Sequence, residues 1–160
     1  MVLSGANKRQ TGKPDRIQVP DKPGLATRLA AQRLLGAVLD TATSLDGLTD
    51  DVHGHPQYLR LDARDRSLAR AILSSALRYH RTIETFLDRL LDKPLPDNAK
   101  SLRQLLHVAA AQILFLDIPD HSAVDLAVDA ARTDPRNARF ASLVNALLRR
   151  MVREKPAVLP

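Results

Sequence analysis

The apolar residues of this chain recur at helical spacing from Leu25 onward. In six stretches they lie three or four positions apart, so that each stretch presents one apolar face of a helix. We therefore predict an all-helical chain. The predicted core rows are Ala30, Ala31, Leu34, Leu35, Val38, Leu39 and Ala42; Leu68, Ala69, Ile72, Leu73, Ala76 and Leu77; Ile83, Phe86, Leu87, Leu90 and Leu91; Leu102, Leu105, Leu106, Val108, Ala109, Ile113 and Leu114; Val124, Leu126, Ala127, Ala130 and Ala131; and Phe140, Leu143, Val144, Leu147, Leu148 and Met151.

Local signals predict where these helices begin and end. Asp62 followed by Asp65, and Ser122 followed by Asp125, have the spacing of capping boxes that open helices. The mixed Gly, Asp, His and Pro content of residues 46–60 predicts a connection with at most one short helical turn. At residues 79–81 the chain either bends or continues as one helix.

Composition supports a helical fold. The chain has 27 Leu and 22 Ala, which favour helices, against 15 Val plus Ile and five aromatic residues, which favour sheets. We predict about six to seven helices within one domain at residues 24–153. Residues 1–23, with three Pro and no helical period, are predicted to be a flexible basic arm, and residues 154–160 the start of a linker or tail.

The net charge of +6 is concentrated at the two ends of the chain. Residues 1–23 and residues 149–160 each carry +3, whereas residues 24–148 hold 15 charges of each sign. Basic ends suit a polyanion such as RNA, because each Lys or Arg contact to a phosphate releases condensed counterions. They equally suit solubilising tails, and charge alone leaves both interpretations open.

Several classes of chemistry are excluded by what the sequence lacks. Without cysteine there is no disulfide, thiolate zinc site or thiol nucleophile, and the six glycines never have the spacing of a nucleotide-binding G-x-G-x-x-G loop. No apolar run of membrane-spanning length and no secretory signal occur, so a cytoplasmic protein is expected. His53 and His55, beside two aspartates, are interpreted as a solvated loop rather than a metal site, and His107 as a core histidine rather than a catalytic base.

Four segments carry motifs typical of a known family. They are residues 61–70 (LDARDRSLAR), 105–115 (LLHVAAAQILF), 119–128 (PDHSAVDLAV) and 143–150 (LVNALLRR). Together they resemble NusB-like domains over about residues 25–151. The ending Asn145-Ala146-Leu147-Leu148-Arg149-Arg150 is most similar to the N-terminal domain of the RsmB (Fmu) family of 16S ribosomal RNA cytosine-5 methyltransferases. Alanines 109–111 stand where the family more often has Gly and Tyr before the glutamine of the central helix.

The resemblance implies a non-catalytic RNA-binding domain that positions small-subunit ribosomal RNA through phosphate contacts. The residues it suggests for RNA binding are Arg28, Arg33, Arg64, Arg149 and Arg150, and those of the structural motif are Asp65, Arg66, Gln112 and Asn145. In this family cysteines and bound S-adenosylmethionine perform the methylation. This chain has no cysteine and no predicted Rossmann-like domain to hold the methyl donor. We therefore expect no catalysis and no cofactor in it, and we expect both catalysis and S-adenosylmethionine in an attached methyltransferase domain.

The expected partners are ribosomal RNA and, in the same polypeptide, an adjacent methyltransferase domain; neither DNA nor a membrane is expected. An alternative within the same resemblance is a free-standing transcription antitermination or ribosome-biogenesis factor that acts with a protein partner. A third is a purely structural dock for an adjacent enzyme domain.

Overall fold

The computed structural model describes residues 22–158, and all regular secondary structure in that range is helical, as the sequence predicts. Six helices are long and two are single turns. The predicted basic arm falls outside the described residues except for Lys22 and Pro23. The helices are α1 (Leu25–Thr41), α2 (Leu45–Leu48), α3 (Pro56–Leu59), α4 (Ala63–Arg78), α5 (His80–Leu90), α6 (Lys100–Phe115), α7 (Asp120–Thr133) and α8 (Ala141–Val158), with a 3-10 turn at Ala138–Phe140 before α8.

Helix α6 is the centre of the bundle. It packs against all five of the other long helices, and an unbroken run from Leu105 to Leu114 is buried. The consecutive alanines at positions 109 to 111 are 1% exposed or less, so their methyl groups let neighbouring helices approach closely. Within residues 22–158, no helix combines the length and apolarity needed to cross a membrane.

The helix boundaries follow local chemistry. The Asp62 carboxylate accepts a hydrogen bond from the Asp65 backbone N–H at 2.8 Å, which confirms the predicted start of α4. Gly24 precedes α1 with φ 84°, a left-handed conformation that a residue with a Cβ adopts only with strain. The chain bends at Tyr79 between α4 and α5, and the Tyr79 ring stacks on Phe115 of α6 with centroids 3.9 Å apart.

Three boundary or core predictions were wrong. The connection at residues 46–60 holds two single-turn helices instead of at most one. Helix α7 starts at Asp120, directly after the extended Pro119 and without a side-chain cap, so Ser122 and Asp125 lie inside the helix. Leu39 and Leu143 are 42% and 37% exposed, and Ala42 at the end of α1 is exposed too, because no neighbouring element covers those ends of α1 and α8.

Helix α8 runs to Val158, so residues 154–158 continue the last helix. The domain boundary at residue 153 stays a prediction.

Candidate functional site

An open groove of about 1250 Å³ lies on one side of the helical bundle. Its walls are α1, the first two turns of α6, and the connection between α7 and α8. Four basic side chains line it: Arg33, Lys100, Arg136 and Arg139. Two carboxylates, Asp40 and Asp134, also reach the groove, so its lining is net basic.

A partly buried hydrogen-bond network joins the three walls. The Gln32 amide on α1 donates to the Ser101 carbonyl and hydroxyl oxygens on α6, at 2.9 and 3.0 Å. The Asn137 amide, from the α7–α8 connection, donates to the same Ser101 hydroxyl at 3.2 Å. Gln32 and Asn137 are both buried, so these bonds are shielded from water and hold the walls in fixed relative positions.

Three of the groove's cations are available to an anion. Arg136 is held by Asp134 at 2.8 Å, and this hydrogen bond lowers the pKa of Asp134 and raises the pKa of Arg136. Arg33, Lys100 and Arg139 have no ion-pair partner among the described residues. Arg33 points outward because it lies opposite the buried stripe of α1, and the Arg139 guanidinium is 4.6 Å from the centre of the Phe140 ring.

The N-terminus of α6 adds to the positive character of the groove. Ala99 precedes the helix and provides no side-chain cap, and the first turn has no acidic residue. The backbone N–H groups of a first helical turn carry partial positive charge and lack partners within the helix. This end of α6 therefore favours negative charge in the groove.

His55 lies at the edge of the groove and reports on its electrostatics. Its Nδ1 accepts the Gln57 backbone N–H at 3.1 Å and so caps α3, which requires an unprotonated nitrogen. Burial, followed by the positive charges of Arg33 and Arg60, lowers the pKa of His55 below the ordinary 6.5. The neutral form, which can act as the cap, is thereby favoured in the folded protein.

We expect Arg33→Ala to raise the pKa of His55 toward 6.5, since it removes a cation that disfavours the imidazolium. NMR titration of the imidazole protons measures this value directly, with Arg64→Ala as a control that removes an exposed arginine on α4. Because folded His55 binds a proton less readily than the unfolded residue, stability should also fall as the pH drops below 6.5. An unchanged pKa in Arg33→Ala would show that Arg33 does not set the potential at this edge.

The structure does not bring together the five arginines suggested for RNA binding, and only Arg33 lines the groove. Arg28 is half-buried and donates to Gln112 Oε1 at 3.1 Å and to the Gly24 carbonyl at 3.3 Å. Burial lowers the pKa of Arg28, with Asp65 acting in the opposite direction. Its guanidinium therefore joins α1 to α6.

The other three suggested arginines lie on α4 and α8. Arg150 donates to the Leu90 carbonyl and to Glu154, which ties α8 to the end of α5. Arg149 is exposed, and its Nε donates to Asn145 Oδ1 at 3.1 Å. Arg64 is exposed and makes no side-chain hydrogen bond or ion pair within residues 22–158. RNA contact by these residues stays a prediction.

Arg66, from the predicted structural motif, holds the residues before α4 in place. It donates to the carbonyl oxygens of Leu59 and Leu61 at 2.6 and 2.9 Å, and its guanidinium carbon lies 5.5 Å from the centre of the Tyr58 ring. The sequence predicts a partly buried ion pair for this residue. The nearest carboxylate, Asp51, is 3.4 Å away and exposed, so the two carbonyls are its main partners.

Sequence reasoning missed Lys100, Arg136 and Arg139. These residues come from the start of α6 and from the α7–α8 connection, more than 30 positions apart, and periodicity does not reveal that Ser101 and Asn137 join these segments. One signal was present in the sequence. Arg136 and Arg139 follow closely after Pro135, in a connection between two predicted helices.

The histidines divide between surface and core. In the loop of His53 and His55, His53 pairs with Asp50 at 3.5 Å while His55 is used as the α3 cap. His107 is 1% exposed and its Nε2 lies 2.7 Å from Glu84 Oε1, which confirms the interpretation as a core histidine. Burial is the main cause that lowers the pKa of His107, with the Glu84 hydrogen bond acting in the opposite direction.

Comparison with known proteins identifies a family. The model of the NusB family matches residues 25–153. The chain is 41% identical over 137 residues to ribosomal RNA small subunit methyltransferase B of Xanthomonas campestris pv. campestris, covering 84% of this chain and 30% of that protein. It is 33% identical over 135 residues to the protein of the same name from Pasteurella multocida, covering 84% of this chain and 29% of that protein.

The matched region is the N-terminal part of these relatives, and the chain spans about 30% of their length. Among solved structures, NusB of T. maritima superposes with a TM-score of 0.68 at 21% sequence identity, covering 83% of this chain and 92% of that one. At this identity the structural match shows a shared fold.

Proposed function

This chain belongs to the NusB family, and we propose that it is the RNA-binding domain of a ribosomal RNA small subunit methyltransferase. It would hold small-subunit rRNA by phosphate contacts while another domain performs the reaction. The observation that carries the proposal is the groove. Three cations without ion-pair partners in the described range line it, together with the uncapped N-terminus of α6. A role on ribosomal RNA would place the protein in the cytoplasm.

The groove is suited to phosphate groups and poorly suited to reading bases. Phosphate contacts come from Arg and Lys side chains and from helix N-termini, and they fix position without selecting sequence. Sequence-specific recognition of single-stranded RNA relies on stacking against aromatic side chains. Among residues 22–158, the aromatic rings that line the groove are those of Phe140 and His55. Arg139 already covers the Phe140 ring, and the His55 imidazole is used as the cap of α3. The proposed role is therefore positioning.

The described residues do not fit S-adenosylmethionine. Dinucleotides and related cofactors are commonly held at the carboxyl ends of parallel strands, beside a glycine-rich turn. Residues 22–158 contain helices and no strand, and the glycines at positions 24, 36, 47 and 54 are scattered over separate segments. The proposal therefore assigns the cofactor and the methyl transfer to a domain outside these residues.

The combined variant Arg33→Ala, Lys100→Ala and Arg139→Ala should bind small-subunit rRNA fragments more weakly and with less salt dependence. Each lost phosphate contact reduces the magnitude of the slope of log K against log salt by about 0.7 to 0.9, so the loss of three contacts reduces it by about 2 to 3. Fluorescence anisotropy over a series of salt concentrations measures both the affinity and the slope.

A matched control removes the same charge elsewhere. Arg70, Arg81 and Arg153 are exposed, lie outside the groove and have no ion-pair partner among residues 22–158. Changing all three to Ala should therefore leave the salt slope nearly unchanged.

Equal losses of RNA affinity in both triple variants would mean that net charge, not the groove, binds RNA. A loss confined to Arg64→Ala and Arg149→Ala would place RNA on α4 and α8. Preferential binding to boxA RNA together with a protein partner would favour the antitermination alternative.

A further inference from the structure

A second cluster of functional side chains lies between α5 and α6, apart from the groove. His80 and Glu84 are four positions apart on α5, so they share one face of that helix. His107 lies opposite them on α6. One ring nitrogen of each histidine and one oxygen of Glu84 all lie within 4.8 Å of one another.

The cluster is partly buried and only partly satisfied by hydrogen bonds. The Nε2 of His107 donates to Glu84 at 2.7 Å, while its Nδ1 is buried with no partner in the described part of the chain. The His80 ring stacks on the His107 ring with centroids 4.7 Å apart. His80 is half-buried and makes no side-chain hydrogen bond within residues 22–158, so no hydrogen bond would have to break for its ring to turn.

The set of donor atoms matches a particular class of metal ion. Two imidazoles and one carboxylate suit zinc and similar divalent transition metals, whereas calcium and magnesium prefer oxygen donors alone. Ligand atoms at about 2.0 to 2.1 Å from a tetrahedral ion are about 3.3 Å apart, so the ligand atoms need to approach one another by at most about 1.5 Å. A rotation of His80 out of its stack supplies this movement.

We propose that His80, Glu84 and His107 form a binding site for a divalent transition metal of the zinc class. The ion would link α5 to α6 through three protein ligands and leave at least one coordination position to water or another ligand. The site is distinct from the groove, since none of its three residues lines that cavity. The proposal is independent of the RNA-binding role.

Cobalt titration of tag-free, chelator-treated protein tests this site, using the metal alone as the probe. We expect visible d–d absorption bands that saturate at one Co²⁺ per chain and disappear when Zn²⁺ is added. His80→Ala and Glu84→Gln should each weaken Co²⁺ binding at least about tenfold, since even residues that only support metal ligands contribute this much. Thermal unfolding should shift upward with Zn²⁺ in the wild type and should not shift in His80→Ala.

His121→Ala is the matched control, because His121 is an exposed histidine at the start of α7 and lies outside the cluster. It should bind Co²⁺ like the wild type. His80 is half-buried, so His80→Ala is expected to fold, and circular dichroism verifies this. Absence of the bands in the wild type, or equal Co²⁺ affinity in His80→Ala and wild type, would overturn the proposal and leave Glu84 and His107 as a hydrogen-bonded pair.

Discussion

Leu148→Ala should lower the free energy of unfolding by about 2 to 5 kcal/mol, the largest effect of any substitution considered. Leu148 lies on α8, is 0% exposed and is among the largest fully buried side chains. Truncation to Ala removes buried methyl groups and leaves a cavity that the surrounding helices fill only in part. Urea unfolding at neutral pH, followed by circular dichroism, measures the loss.

Leu143→Ala is the matched control, with the same chemical change five residues earlier on the same helix. Leu143 is 37% exposed, so we expect a loss of about 1 kcal/mol or less. The sequence pattern places both leucines in one core row, whereas in the structure Leu148 is buried and Leu143 is partly exposed. Losses of equal size would show that the start of α8 is covered after all.

Arg66→Ala should cost about 2 to 4 kcal/mol of stability. It leaves the carbonyl oxygens of Leu59 and Leu61 without their donor, and each unsatisfied buried group costs about 1 to 3 kcal/mol. It also removes the guanidinium beside the fully buried Tyr58 ring. Chemical denaturation of the variant measures the change.

Two further variants serve as controls for Arg66→Ala, one at a neighbouring exposed arginine and one that keeps the positive charge at position 66. Arg70→Ala removes an exposed arginine one turn later on α4 and should change stability by no more than about 0.5 kcal/mol. Arg66→Lys keeps the charge but lacks the planar guanidinium fork that reaches two acceptors, so it should restore only part of the loss. Full stability in Arg66→Lys would mean that a positive charge suffices.

Periodicity predicted the long helices because their buried faces repeat along the chain, but it could not predict their neighbours. Leu39 and Leu143 fit the apolar rows of their helices and are nevertheless exposed. An apolar row identifies one face of a helix, but it does not show whether another element packs on that face at every turn. The start of α4 followed from Asp62, a side chain acting locally. The start of α7 did not, because Pro119 opens that helix through its backbone conformation and no side chain marks the position.

The candidate site was predicted less completely than the fold, for a related reason. A helical spacing of 100° per residue places Arg33 opposite the apolar row of the first helix, which predicts an outward-facing side chain, and the structure confirms this. It could not show that Arg28 turns inward to Gln112, which is 84 positions away. Nor could it place Glu84 against His107, because α5 and α6 meet only in the folded chain. Contacts between distant segments determine which charges are free and which are used internally.

The central position of α6 has a consequence for how the domain comes apart. Every other long helix packs on it, and the three short alanine side chains at its middle keep the neighbouring helices close to its backbone. Removing any one of these helices would expose part of the shared centre to water, so the stability of each helix depends on the others. We expect unfolding to be a single all-or-none event, and fragments cut between helices to remain unstructured.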